Sequence, residues 1–155
     1  MYAGKYAHSK VDQPAFIMAD SGEMVTYGEY EARTNRLAHL LRDAGLKKFD
    51  HYSIFMENNN RYLECCGAGE RSGLYYTCVN HYLKADELAY ILNNSESKVL
   101  IISAEKLAVT KEALNDCKSI SLCLVVGGET EGGIFRNFES AAEPFPATPI
   151  LDEAL

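Results

Sequence analysis

The chain has 155 residues, of which 47% are hydrophobic and 24% are charged, and this balance is typical of an ordinary globular protein. Its 15 basic and 22 acidic residues give a formal net charge of −7, and no stretch is rich in Lys or Arg, which argues against nucleic-acid binding. The longest uninterrupted apolar run, Leu122–Val126, is far shorter than the roughly 18 residues that a membrane-spanning helix needs, so we expect no transmembrane segment.

The cellular compartment is indicated by the N-terminus and by the cysteines. Residues 1–10 lack the basic-then-apolar layout of a signal peptide. The cysteine count is odd and the spacing follows no disulfide framework, which favours reduced thiols. We therefore expect a cytoplasmic protein with five free cysteines: Cys65, Cys66, Cys78, Cys117 and Cys123.

The first predicted elements are a small hairpin and a long helix. The hairpin has strands at residues 15–18 and 24–26, separated by a turn rich in Asp, Ser and Gly. Thr26 and Glu29 have the spacing of a capping box, which predicts a helix over residues 27–44.

After this helix, predicted strands and helices alternate along the chain. Short apolar runs predict four strands, at residues 52–56, 74–79, 99–102 and 122–126. The stretches between them predict helices at residues 59–72, 85–93 and 104–116. Such spacing, with strands apolar on both faces, predicts an α/β fold: a doubly wound, mainly parallel sheet with helices on both faces, preceded by the small hairpin.

The C-terminal part of the chain has a different composition. Four glycines fall within residues 127–133, and three of the chain's four prolines follow. This pattern predicts a loop, a short helical turn near residues 138–141 and an extended linker at residues 144–155. We therefore divide the chain into an N-terminal α/β subdomain, residues 1–126, and a Gly/Pro-rich loop and linker, residues 127–155.

Two glycine-rich motifs fall short of nucleotide-binding fingerprints. The motif at residues 67–73 is one residue too long and lies within a predicted helix, so helix packing with a C-terminal stop at Gly73 is favoured. The motif at residues 127–133 follows a strand, but it has no Lys and carries Glu129 and Glu131, so a flexible surface loop is favoured.

Other chemical signatures are also incomplete. The four histidines are scattered, and the sequence has neither a Cys-x-x-Cys nor a Gly-x-Ser-x-Gly motif. We therefore assign no catalytic, cofactor-binding or metal-binding residue within the chain. Four tyrosines cluster around one strand and the next helix, where buried aromatic packing is favoured over an apolar ligand surface: Tyr75, Tyr76, Tyr82 and Tyr90.

An ordered set of stretches carries a family resemblance, at residues 26–30, 35–38, 54–58, 71–80 and 83–92. Together they resemble the N-terminal part of an AMP-forming acyl-CoA synthetase, in the superfamily that includes firefly luciferase and peptide-synthetase adenylation domains. Within that family the pattern looks most like bacterial fatty-acid–CoA ligases. The resemblance runs from about residue 14 to residue 126, and it implies a partial domain of the adenylate-forming enzyme fold.

The resemblance implies a two-step ligase that uses ATP, Mg²⁺ and coenzyme A, with a fatty acid or another carboxylic acid as substrate. The family's phosphate loop, rich in Ser, Thr and Gly, has no match here, so the chain is expected to be an N-terminal fragment that is inactive alone. In the complete enzyme, His81 and the strand end at residues 75–80 are candidates to approach an acyl or CoA channel. Residues 67–70 depart from the family by placing small residues in a helix, and we expect looser packing there.

Two other functions stay open. One is a truncated, non-catalytic paralogue that serves as a binding or interaction module, and the other is an unrelated nucleotide-binding α/β domain, which the absent glycine fingerprint disfavours. A partial domain also exposes an apolar face and a sheet edge, so we expect self-association or marginal stability.

Overall fold

The computed structural model describes residues 3–130 and 132–154. A 3₁₀ turn at Ala3–Tyr6 precedes the predicted hairpin, whose strands β1 (Pro14–Ile17) and β2 (Met24–Thr26) pair antiparallel. No helix in the described ranges is both long and apolar enough to cross a membrane.

The first helix, α1 (Tyr27–Asp43), begins at the predicted capping box. The Glu29 backbone N–H donates to Thr26 Oγ1 at 3.2 Å, and the Thr26 backbone N–H donates to Glu29 Oε2 at 2.9 Å. These two bonds satisfy backbone donors that the first helical turn leaves without intrahelical partners, and this fixes the helix start. The buried face of α1 includes Leu37 and Leu41, as its apolar spacing predicts.

The main sheet has five parallel strands: β3 (His51–Phe55), β4 (Tyr75–Cys78), β5 (Val99–Ser103), β6 (Leu122–Val126) and β7 (Phe135–Asn137). Their order across the sheet is β4-β3-β5-β6-β7. The parallel sheet and its first four strands are confirmed, whereas β7 lies where a loop is predicted. β7 has only three residues, and its central residue, Arg136, is exposed, so the sequence shows no hydrophobic alternation there. The strand is recognised only by its pairing with β6.

Helices cover both faces of this sheet, as predicted. They are α2 (Tyr62–Ser72), α3 (Ala85–Asn94), α4 (Leu107–Ala113) and α5 (Phe138–Ala142). One core lies between the sheet and α1, α2 and α5, and the other lies between the sheet and α3 and α4. In β5, Val99 and Ile101 enter the first core while Leu100 and Ile102 enter the second, which explains a continuous apolar run.

Packing around the glycines of α2 is tight, so the expectation of looser packing there is wrong. A Cβ atom added to Gly67 would overlap the Tyr30 hydroxyl, and one added to Gly69 would overlap the Tyr52 hydroxyl. The Tyr52 hydroxyl donates to the Cys65 carbonyl at 2.5 Å inside the core. Small residues are therefore needed here because tyrosine side chains lie directly against the helix backbone.

The predicted extended linker lies against α1. Arg42 of α1 contacts both carboxylate oxygens of Asp152, at 3.2 Å from Nε and 3.0 Å from Nη2. Asn35 donates to the Ala147 carbonyl at 2.9 Å, and Ile150 is buried. The segment is thus anchored to the helical layer by specific contacts, while the division of the chain into two zones stays a prediction.

A fully buried arginine, Arg71, joins the same segment to α1 and α2. Its Nη2 lies 2.6 Å from Glu31 Oε2, and its Nη1 lies 3.2 Å from Glu153 Oε1. Burial lowers the pKa of Arg71 to about 10, so the guanidinium still carries its charge at neutral pH. A buried charge is retained in proteins when it is paired, and here carboxylates from α1 and from the C-terminal segment pair it.

Candidate functional site at the carboxyl edge of the sheet

The strand order defines a topological switch point in the sheet. The chain moves outward from β3 to β4, returns across β3 to β5, and then continues through β6 to β7. The direction therefore reverses between β3 and β5, and open α/β sheets bind ligands outside the carboxyl ends of strands at such a switch point. The residues that follow β3 and β5 are accordingly the candidate site.

Two polar side chains meet at this switch point. Glu57 follows β3, and Ser103 ends β5, where its hydroxyl donates to Glu57 Oε2 at 2.6 Å. Burial raises the pKa of Glu57, but hydrogen bonds from Ser103, from its own backbone and from Asn59 outweigh burial, and with the charge of Lys106 they lower that pKa overall. The site therefore presents a fixed, negatively charged carboxylate at neutral pH.

The end of β4 lies at the same edge of the sheet, because β3 and β4 are parallel with Ile54 opposite Cys78. Beyond β4, Asn80 Oδ1 accepts a hydrogen bond from the Tyr82 backbone N–H at 3.1 Å. The His81 ring contacts the Tyr82 ring with centroids 4.0 Å apart and an angle of 38° between the ring planes. The structure thus places His81 on the side of the molecule that carries the switch point, as a partly exposed imidazole.

The four predicted tyrosines do not form a buried cluster. Tyr75, Tyr82 and Tyr90 are 57%, 82% and 70% exposed, so buried packing is wrong for these three. Only Tyr76 packs against the core, with its ring centroid 6.0 Å from that of Tyr52. Tyr75 also lies at the amino end of β4, away from the strand end that carries His81.

One exposed tyrosine borders a surface cavity. Tyr90 and its neighbours on and before α3 line a depression of about 480 Å³, together with Leu83, Asp86, Glu87 and Ile91. The lining combines the side chains of Leu83, Tyr90 and Ile91 with two carboxylates, a composition that suits an apolar group with a polar end.

The glycine-rich loop after β6 is closed by the protein's own side chains. The Gly127 backbone N–H donates to Glu139 Oε2 at 3.3 Å, and Asn137 Nδ2 donates to the Gly128 carbonyl at 2.8 Å. The Glu139 carboxylate therefore accepts the hydrogen bond that the Gly127 N–H would donate to a phosphate in a phosphate-binding loop. Glu131, the second acidic residue of the motif, lies outside the described residues.

The other motifs have structural roles. Gly73 takes the left-handed conformation, with φ of 62°, directly after α2, so the predicted C-terminal stop is confirmed. All five cysteines carry free thiols. Within residues 3–130 and 132–154, no three His, Cys, Asp or Glu side chains are grouped closely enough to hold a metal ion.

Sequence reasoning did not single out the Glu57–Ser103 pair. The sequence did contain an indication of this pair, because Glu57 and Ser103 each directly follow a predicted apolar strand, and the carboxyl ends of parallel strands are where ligands bind. What the sequence lacked was the strand order, which alone shows that β3 and β5 are neighbours at the point of reversal.

The fold and the site together define a parallel α/β domain with polar side chains at the switch point of its sheet. The model of the AMP-binding enzyme family matches residues 5–152. Because this match covers nearly the whole chain, the chain belongs to the AMP-binding enzyme family, as the resemblance implied.

Two relatives of this chain are CoA ligases by name. A 3-oxocholest-4-en-26-oate–CoA ligase of Rhodococcus rhodochrous is 36% identical over 84 residues, which cover 54% of this chain and 15% of that protein. A medium/long-chain-fatty-acid–CoA/3-oxocholest-4-en-26-oate–CoA ligase of Mycolicibacterium smegmatis is 29% identical over 115 residues, covering 74% of this chain and 20% of that protein.

The fold is shared with a solved ligase. The anthranilate CoA ligase AuaEII, solved in complex with anthranoyl-AMP, aligns over 95% of this chain with a TM-score of 0.88 and 19% identity. The predicted fold class, a partial domain of the adenylate-forming enzyme fold, is therefore confirmed. The chain spans 28% of the AuaEII chain, and 15% and 20% of the two relatives named above.

Proposed function

We propose that this chain is the N-terminal portion of an ATP-dependent fatty-acid–CoA ligase. In the reaction, a carboxylate oxygen attacks the α-phosphorus of ATP and displaces pyrophosphate, and the CoA thiol then attacks the acyl carbon and displaces AMP. The family match over residues 5–152 carries this proposal, and the names of the two relatives support a CoA ligase that acts on a fatty or another carboxylic acid.

The residues at the switch point and in the Gly-rich loop do not fit the phosphates of ATP. The Gly127 N–H donates to Glu139, the Gly-rich loop has no Lys, and the switch point presents the charged carboxylate of Glu57. Catalysis of phosphoryl chemistry needs donors and cations aimed at the transferring charge, and these groups repel it instead. We therefore infer that the ATP-binding parts lie outside residues 1–155 and that the chain alone is inactive.

The role of this portion in the complete ligase is to support the site. Its two-sided core holds β3, β4 and β5 in register, so that Glu57, Ser103 and His81 emerge along one sheet edge. We propose that His81 and the end of β4 border the acyl or CoA channel. A cytoplasmic location is part of the same proposal, supported by the five free thiols.

A pyrophosphate-release assay tests this function. The 155-residue chain is mixed with ATP, Mg²⁺, CoA and fatty acids of different chain lengths, and the full-length Mycolicibacterium ligase serves as the positive control. We expect no release above the enzyme-free blank, and turnover by the chain alone would contradict its inactivity. Sequencing the gene beyond codon 155 is a direct complement, since a Ser/Thr/Gly-rich loop with a Lys is expected there.

A second candidate, a non-catalytic interaction module, is favoured by the free edge of the sheet. β4 is an edge strand, and beside it the exposed Phe49 and Tyr75 rings lie 6.3 Å apart, with the His51 ring 5.1 Å from Tyr75. One side of β4 pairs with β3, and no described strand pairs with its other side. Exposed aromatic side chains beside such a strand edge favour strand-to-strand association. We propose a second copy of this chain as the occupant.

Sedimentation at increasing concentration tests this self-association. Tyr75→Thr should weaken the dimer about tenfold if one aromatic contact is lost from each side of the interface. Tyr90→Thr, an exposed tyrosine on α3, is the matched control and should leave association unchanged. A wild-type chain that stays monomeric at all concentrations would contradict the proposal that this chain is an interaction module that pairs with a second copy.

A further inference from the structure

A cleft of about 570 Å³ opens between α1, the start of α2 and α5. Its walls carry three arginines, Arg33, Arg36 and Arg61. The function proposed above uses none of them, and the cleft lies on the side of the sheet that α1, α2 and α5 cover. Its volume lies within the range of about 300–1,000 Å³ that small-molecule sites occupy.

Local structure brings the three guanidinium groups together. Arg33 and Arg36 are three residues apart on α1, so they lie on one side of the helix. Arg61 directly precedes α2 and is engaged by the protein, with Nη1 at 3.0 Å from Glu64 Oε2 and Nε at 3.7 Å from Glu139 Oε1. Its guanidinium also stacks on the buried Phe138 ring at 5.7 Å.

The other two arginines lack such partners in the part of the chain that the structure describes. There, the side chains of Arg33 and Arg36 make no hydrogen bond and no ion pair, and Arg33 Nη1 is buried without an acceptor. A buried N–H on a charged group that has lost water and gained no acceptor is unfavourable, so an acceptor supplied from outside would stabilise it.

The acidic residues of the cleft do not supply an acceptor for Arg33 or Arg36. Glu64 is paired with Arg61 at 3.0 Å, and burial raises the pKa of Glu64 against the opposing charges of Arg61 and Arg33. Glu139 accepts from the Gly127 N–H and from Asn137 Nδ2. Glu143 is exposed at the rim. Glu29 and Glu64 attract Arg33 at longer range, but no described carboxylate lies within 4.0 Å of the Arg33 or Arg36 guanidinium.

We propose that this cleft is a binding site for the oxyanion group of a small molecule. Arg33 and Arg36 would bind the oxyanion, and Arg61, held in place by Glu64, Glu139 and Phe138, lines the cleft beside them. A guanidinium presents a planar fork of donors that matches carboxylate and phosphate oxygens, and either group would satisfy the buried Arg33 Nη1. The site requires no catalysis by this chain, so its failure would leave the ligase proposal standing.

The test is an NMR titration of the complete 155-residue chain, labelled with ¹⁵N. Inorganic phosphate and acetate are added in separate titrations at constant ionic strength, so that phosphate and carboxylate chemistry are distinguished. We expect saturable shifts of the Arg33 and Arg36 Nε–H signals and of cleft amides with one of the two anions. No saturable shift with either anion would overturn the proposal.

Charge-matched variants make the test specific. Arg33→Gln and Arg36→Gln should each weaken binding about tenfold or more, the effect of one lost charge-assisted hydrogen bond. Lys118→Gln removes the same charge from an exposed position outside the cleft and should leave binding unchanged. An equal loss in Lys118→Gln would overturn the proposal, because it would indicate a general charge effect.

A folding control keeps the result interpretable. If a Gln variant unfolds and loses its dispersed NMR spectrum, Arg33→Lys and Arg36→Lys are titrated in its place. These variants keep the positive charge but lose the planar pair of guanidinium donors. We then expect binding that is weaker than wild type, and unchanged binding in both Lys variants would overturn the role of the guanidinium groups.

Discussion

Replacement of Arg71 by methionine should destabilise the fold and loosen the C-terminal segment together. Arg71 is 0% exposed, and it pairs with Glu31, whose side chain is 19% exposed, and with Glu153, whose side chain is 27% exposed. The methionine side chain fills similar space but carries no charge, so both carboxylates lose this cation. Breaking a buried ion pair from one side costs about 3–5 kcal/mol.

The partial exposure of both carboxylates favours the lower end of that range, because water can solvate them once Arg71 is gone. We expect a loss of about 3 kcal/mol in the free energy of unfolding. For a chain of this size that corresponds to a fall in Tm of about 6–12 °C. Such a loss is a large share of the roughly 5–15 kcal/mol that stabilises a typical domain.

Urea denaturation followed by circular dichroism measures this loss, and a double-mutant cycle assigns it. Glu31→Gln should couple to Arg71→Met more strongly than Glu153→Gln does, because its contact is shorter, 2.6 Å against 3.2 Å. Hydrogen exchange should also accelerate in residues 147–154. A loss below about 1 kcal/mol, with no coupling to either carboxylate, would refute the structural role of Arg71.

Two further predictions concern α2 and the switch point. Gly67→Ala should lower the free energy of unfolding by about 1–3 kcal/mol in urea melts, because its Cβ would overlap the Tyr30 hydroxyl, whereas Glu70→Ala on the exposed side of α2 is the neutral control. The lowered pKa of Glu57 means that its charge stabilises the fold above its ordinary value of 4.5, and that this stability is lost as pH falls through the folded-state pKa. Glu57→Gln should therefore reduce Tm at neutral pH but not below that pKa, and an equal reduction at both pH values would contradict the hydrogen-bonded carboxylate.

Much of the fold can be predicted because hydrophobic periodicity is a local property of the chain. The capping box at Thr26 and Glu29 and the apolar strand at Val99–Ser103 are visible in short windows. β7 (Phe135–Asn137) is not predicted because its three residues carry no hydrophobic period and its stability comes from pairing with β6. The same limit applies to packing, since nothing local shows that Tyr30 lies against Gly67.

The candidate site is harder to predict than the fold for a related reason. Glu57 and Ser103 are 46 residues apart, and only the strand order β4-β3-β5-β6-β7 makes them neighbours. Tyr82 and Tyr90 are exposed because they lie on the outer side of a connection and a helix, a position that an aromatic-rich composition does not reveal.

A chimeric ligase tests the central claim most directly. The corresponding N-terminal residues of the Mycolicibacterium ligase are replaced by residues 5–152 of this chain, and pyrophosphate release is measured with ATP, Mg²⁺, CoA and a fatty acid. The proposal predicts fatty-acid-dependent release by the chimera and none by the 155-residue chain at equal concentration. Release by the chain alone, or a chimera that melts cooperatively like the parent ligase yet releases no pyrophosphate, would contradict it.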